Sequence, residues 1–85
     1  MGTKDNPGQF DCYANALPDE PMFVLLARDP HAPDAVVEWI VRRLTAIATG
    51  HAPTSDRDMI DEARTCVEAM REWREKNNGA WRRQG

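Results

Sequence analysis

The 85-residue chain carries a net charge of −3, with 41% hydrophobic and 29% charged residues. That length has room for one domain and a thin core burying roughly 60–65% of the unfolded surface, and the acidic balance argues against a general DNA or RNA binder, which presents a basic stripe. No apolar stretch nears the ~18 residues of a membrane span and no signal-peptide pattern opens the chain, so the expectation is a cytoplasmic protein with no membrane partner.

Residues 1–9 are polar and rich in helix breakers, and read as a mobile N-terminal arm ahead of a single helical domain over 10–85. Pro18 and Pro21 then flank Asp19-Glu20, an acidic helix start with Asp19 as cap and Pro21 in the first turn. A short helix is expected from about Glu20 to Ala27. Phe23-Val24-Leu25-Leu26 could pass for a buried strand, but no second strand pattern exists to pair with it.

A second helix is predicted from about Pro33 to Thr49, ending at Gly50, a residue suited to the position after a helix. Asp34, Glu38, Arg42, Thr45 and Thr49 make one narrow polar stripe, with Glu38 and Arg42 spaced as an i,i+4 pair. Nearly everything else on it is apolar, from Val36 to Ala48, which is more surface than one partner helix covers. A third helix follows from about Asp56 to Asn77, with Ser55 as N-cap and Asp56, Asp58, Asp61 and Glu62 loading its positive end with negative charge. Met59, Ala63, Cys66, Met70 and Trp73 form a heptad-like seam, and Ile60 and Val67 add a second row. Asn77-Asn78-Gly79 ends it, and Trp81 in the tail is expected to dock back. The architecture expected is all-α: a short N-terminal helix followed by an antiparallel hairpin of two long helices. Its surplus apolar surface is most easily buried by self-association into a homo-oligomer.

Enzyme signatures are missing: there is no nucleophile elbow, zinc-protease helix, phosphate-binding loop or dinucleotide fingerprint. His31 and His51 each sit in a Pro-containing turn and read as solvent-facing. The acidic run from Asp56 to Glu62 lacks the central glycine and distal glutamate of a calcium loop, and helix-start electrostatics accounts for it. Cys12 and Cys66 have no metal-ligand spacing and read as packing residues. No catalysis, cofactor or metal is expected. Nine of the eleven basic residues are arginine, the side chain preferred for bidentate contacts; a compositional bias would give the same count.

Tyr13 and Arg28 bracket the Pro-punctuated turn and the apolar run Met22 to Ala27. A phenol face suits a nucleobase and a guanidinium fork suits a phosphodiester. Residue chemistry alone also allows Tyr13 as a staple or interface residue and Arg28 as a cap on a helix C-terminus.

The stretch from Tyr13 to Pro30, YANALPDEPMFVLLARDP, resembles the N-terminal half of the small helical phage anti-CBASS sponge proteins, which sequester cyclic oligonucleotide second messengers. The likeness covers about 20 residues in motif and, in helix layout, about 70 of the 85. It implies a hexamer built as a trimer of dimers in the cytoplasm of an infected bacterium. It also implies binding, without cleavage, of cyclic dinucleotides such as 3′,3′-cGAMP, so that the host defence effector stays off. In the family an aromatic before the first turn stacks on a base and a basic residue fifteen positions later holds phosphate; Tyr13 and Arg28 match, with Arg where Lys is expected. Pro30 replaces a polar residue, so a hydroxyl contact is lost. Some relatives take cyclic trinucleotides at a second site between subunits, for which Asn15 with Arg64 or Arg71 are the nearest candidates. The rival reading is a small helical protein–protein adaptor with no nucleotide ligand, gripping its partner with apolar helix faces and Trp81.

Overall fold

The computed structural model describes residues 1–78. Its helices are α1 (Cys12–Asn15), α2 (Ala32–Ala48) and α3 (Arg57–Lys76), with a single 3₁₀ turn at Thr54–Asp56 leading into α3. The described residues contain no strand. Trp81 lies outside them.

The second and third helices form where the apolar spacing places them. α2 begins with Ala32 and Pro33 buried, Pro33 supplying the fixed φ that suits a first turn. It stops in a Schellman motif: Gly50, at φ 79°, donates its amide to the Ile47 carbonyl (3.2 Å) and His51 donates to Ala46 (2.8 Å). All five residues of the polar stripe of α2 are exposed, and Arg42 Nε meets Glu38 Oε1 at 2.9 Å.

The core lies between α2 and α3 and consists of Ile40 and Ile47 against Ile60, Ala63 and Val67, with Val36, Trp39 and Leu44 packed around it. Arg43 on α2 reaches Asp56 before α3 at 3.5 Å, and Asp34 in the first turn of α2 faces Arg71 near the end of α3 at 3.9 Å. Arg43 also lies over the Trp39 ring, 5.3 Å from its centroid. On α3 the buried line is Ile60, Ala63, Val67 and Met70. Of the seam expected through Met59, Ala63, Cys66, Met70 and Trp73, Ala63 and Met70 are buried and the other three half-buried, because α2 covers the neighbouring row. Val37 and Val41 on α2 remain open to solvent.

Three local expectations are corrected. The helix expected from Glu20 to Ala27 does not form: residues 21–26 run without a helical turn or bend. An eight-residue helix gains few internal hydrogen bonds, and Pro21 and the β-branched and aromatic pair Phe23-Val24 lower its propensity. The short N-terminal helix is α1 instead, where Asp11 Oδ1 accepts from the amides of Tyr13 (3.1 Å) and Ala14 (3.3 Å). Ser55 makes no cap bond, because an N-cap needs extended backbone; here the extended residue is Pro53, whose side chain has no acceptor, and Asp56 is already in the helical region. Cys12, read as a packing residue, is exposed; Cys66 is half-buried, and both are free thiols.

Residues 1–9, read from sequence as a mobile arm, carry specific contacts to α3. The two Glu62 carboxylate oxygens accept from the amides of Gln9 (2.6 Å) and Phe10 (3.0 Å). The Met1 ammonium lies 3.3 Å from the same carboxylate and also donates to the carbonyls of Pro7 and Phe10. Gly8 has φ 81°, and a Cβ there would collide with the Met1 carbonyl and the Glu62 carboxylate, so only glycine fits. Partial burial works against ionisation of Glu62, but the two amides and the ammonium outweigh it and hold its carboxyl below the ordinary value of 4.5.

Candidate functional site

The first two segments of the chain lie along the face of α3 that α2 leaves uncovered. Arg74 holds the second of them down: its Nη1 donates to the carbonyl of Arg28 (2.8 Å) and, more distantly, to that of Ala27 (3.4 Å). The turn beyond is closed by Asp29 donating to the Leu26 carbonyl (2.9 Å), with Asp29 Oδ1 accepting from the His31 amide (2.8 Å). Arg28 is therefore half-buried at a fixed turn rather than at the end of a helix.

Three concavities result. The first, about 420 Å³, lies between the N-terminal segment, Leu25–Ala27 and the Cys66, Met70 and Trp73 positions of α3, with Lys4 on its border. The second, about 390 Å³, is formed by α1 and the run after it, and holds Tyr13, Asn15, Glu20 and Phe23. The third, about 300 Å³, connects Tyr13 and Phe23 to Cys66 and Met70 on α3. Tyr13 and Phe23 border both of the last two, and their rings stay 79% and 86% exposed. Sequence reasoning singled out Tyr13 and missed Phe23; an aromatic residue in a run too short to bury itself was the signal that could have found it.

Arg28 lines none of these three concavities, so a single chain does not bring its guanidinium into the grooves beside Tyr13. The second groove carries the Glu20 carboxylate and neither Lys nor Arg. Glu20 is itself engaged, Oε1 accepting from the Leu17 amide at 3.0 Å. Asn15 shares the groove with Tyr13, and its Nδ2 donates to the Asp11 carbonyl at 2.8 Å. Arg64 pairs with Asp61 (3.6 Å) and Arg71 with Asp34 (3.9 Å). Both lie on the side of α3 opposite Cys66 and Trp73, so one chain does not gather them with Asn15. His31 and His51 are exposed, and His51 Nδ1 sits 2.9 Å from Thr49 Oγ1.

Among the described residues no group of three or more His, Cys, Asp or Glu side chains could hold a metal ion, and no helix is long and apolar enough to cross a membrane. Compared with family models, curated proteins and solved structures, the chain matches none.

Proposed function

We propose that this chain is a phage or prophage sponge that binds cyclic dinucleotides such as 3′,3′-cGAMP without cleaving them and so keeps CBASS effectors inactive. The observation that supports this best is the pair of rings left in water, Tyr13 and Phe23, bordering the same open grooves. Exposed aromatic faces beside a concavity are stacking platforms for bases, each stack contributing about 1–3 kcal/mol. The likeness of residues 13–30 to the sponge family supplies the phosphate partner, Arg28.

A phosphodiester needs a cation beside the stacked base, and the Tyr13 grooves of one chain contain neither Lys nor Arg; the Met1 residue that borders the third has its ammonium engaged by Glu62. In this reading the helical hairpin of α2 and α3 is the subunit of a homo-oligomer, a hexamer in the resembling family, and Arg28 comes from a neighbouring copy. Two stacked bases and two charge-assisted phosphate contacts of about 1.5–3 kcal/mol each supply about 5–12 kcal/mol before the cost of association, so tight sequestration draws on further contacts from the neighbouring copies. Cyclic trinucleotides would use a second site of Asn15 with Arg64 or Arg71, likewise assembled between copies. No turnover is involved.

Calorimetric titration tests this residue by residue. Tyr13→Ala and Arg28→Ala each abolish binding of a cyclic dinucleotide while leaving the assembly intact by light scattering. If both variants bind as the parent does, the assigned site is wrong. The adaptor reading is favoured by Val37 and Val41, which stay open on α2; it expects no nucleotide binding at all.

A further inference from the structure

Cys12 and Cys66 are the two cysteines of the chain, far apart in sequence, and neither takes part in the binding proposed for Tyr13 and Arg28. The fold brings them to one place. Both border the third concavity, of about 300 Å³, so among the described residues no packed side chain fills the space they share. Cys12 is exposed, Cys66 is half-buried, and both are free. Neither thiol makes a hydrogen bond among the described residues.

A specific contact holds the two segments together. Glu62 stands one helical turn before Cys66 on the same face of α3. Its Oε2 accepts from the amide of Phe10, two residues before Cys12, at 3.0 Å. The Gln9 amide on Oε1, at 2.6 Å, makes a second tie at the same point. One thiol lies just beyond the anchored amides and the other just beyond the anchoring carboxylate, so they face each other across the hollow. The α1 turn that begins at Cys12 has only four residues and buries none of them. Shifting that one exposed turn brings the Cα atoms to the ~4.4–6.8 Å that a disulfide takes and leaves the core between α2 and α3 in place.

We propose that Cys12 and Cys66 form a redox modification site that a peroxide converts into an intramolecular disulfide. The exposed Cys12 thiolate attacks one peroxide oxygen, the O–O bond breaks, and the departing hydroxide takes up a proton as water, leaving Cys12 as a sulfenic acid. The Cys66 thiolate then attacks the Cys12 sulfur. The S–S bond forms, the S–O bond breaks, and the second hydroxide leaves as water after taking up a proton. Two thiols thus give up two electrons and two protons, and one peroxide becomes two waters. An accessible sulfur with a resolving thiol beside it is the arrangement of a redox sensor. The bond ties α1 to α3 across the third concavity, next to the tie that Glu62 already makes. This inference is independent of the sponge reading, and its test contains no nucleotide.

The test treats the reduced chain, at micromolar concentration, with an equimolar amount of hydrogen peroxide, then blocks free thiols with a maleimide and digests with trypsin. The expected product is a monomer in which peptides 5–28 and 65–71 are joined, lighter by two hydrogens than their sum and unreactive to maleimide. Cys66→Ser, its fold verified by circular dichroism, instead retains the sulfenic acid and gives a dimedone adduct on Cys12. Proximity is measured separately: against a glutathione redox buffer, the effective thiol concentration of the folded chain exceeds that of the same chain in concentrated urea by about tenfold or more. Equal values in the folded and unfolded chain overturn the proposal, because chain connectivity alone would then account for the bond. Dimers linked through Cys12 as the main product also overturn it, as does a sulfinic acid on Cys12 with Cys66 still open to maleimide.

Discussion

Ile60 is the largest side chain fully enclosed by this chain, 1% exposed between Ile40, Ile47, Ala63 and Val67. Replacing it with alanine removes three carbons from a site that cannot collapse easily, since Ala63 already lets the helices approach closely. The cost is about 2–5 kcal/mol. A chain of this size has about 4–13 kcal/mol in total, taking ~0.05–0.15 kcal/mol per residue. Ile60→Ala therefore removes a substantial share of that total, whereas Ile60→Val costs about 0.5–1.5 kcal/mol and lowers Tm by roughly 4–8 °C per kcal/mol. Urea unfolding followed by far-UV circular dichroism, at fixed protein concentration, gives both values. The slope with denaturant stays the same while the midpoint falls. A loss under ~1 kcal/mol for Ile60→Ala would refute the packing of α2 on α3 described above.

Glu62→Gln leaves the N-terminal segment without its anionic anchor, and amide exchange at Gln9 and Phe10 quickens. Because the Glu62 carboxyl is held below 4.5, its contribution is full above that pH and is lost as pH falls through the depressed value, so parental protection of these amides declines in acid. The glutamine variant lacks that dependence; an equal decline in the variant would remove Glu62 as the cause. Gly8→Ala exposes the same segment to protease, since neither its φ nor the space beside Glu62 admits a side chain; unchanged cleavage would contradict the seat. Arg74→Ala frees the carbonyls of Ala27 and Arg28 and costs about 1–3 kcal/mol, with faster cleavage inside 16–31 as the readout. An unchanged digestion pattern would show that the turn needs no tether.

The two long helices were legible because their signals agree. The apolar spacing of α2, its Pro33 start and Gly50 stop coincide, and the acidic start and heptad-like rows of α3 do the same. The segment between α1 and α2 was not legible, because Pro18 and Pro21 fit either a helix start or a turn. What decides between them is whether an eight-residue helix finds a surface to bury, a tertiary property. Asp11 was missed as a cap because the helix it starts has only four residues. The seat of the arm depends on Glu62, a residue explained in sequence by the helix dipole alone, although it also gathers two amides some 50 positions away. Of the site, Tyr13 is exposed, which both of its sequence readings, a ring for stacking and an interface residue, allow. That Arg28 lines neither Tyr13 groove had no signature in the order of residues.

The most direct test of the sponge reading is a thermal-shift titration of the purified protein with cyclic di- and trinucleotides, with linear dinucleotides as controls. At a hundredfold excess over Kd, a ligand bound only by the folded state adds about 2.7 kcal/mol, a rise of roughly 10–20 °C. The account predicts that rise with 3′,3′-cGAMP, none with the linear controls, and recovery of the same cyclic ligand intact after heat denaturation. No shift with any cyclic nucleotide contradicts the sponge, and recovery of a cleaved product contradicts sequestration without turnover.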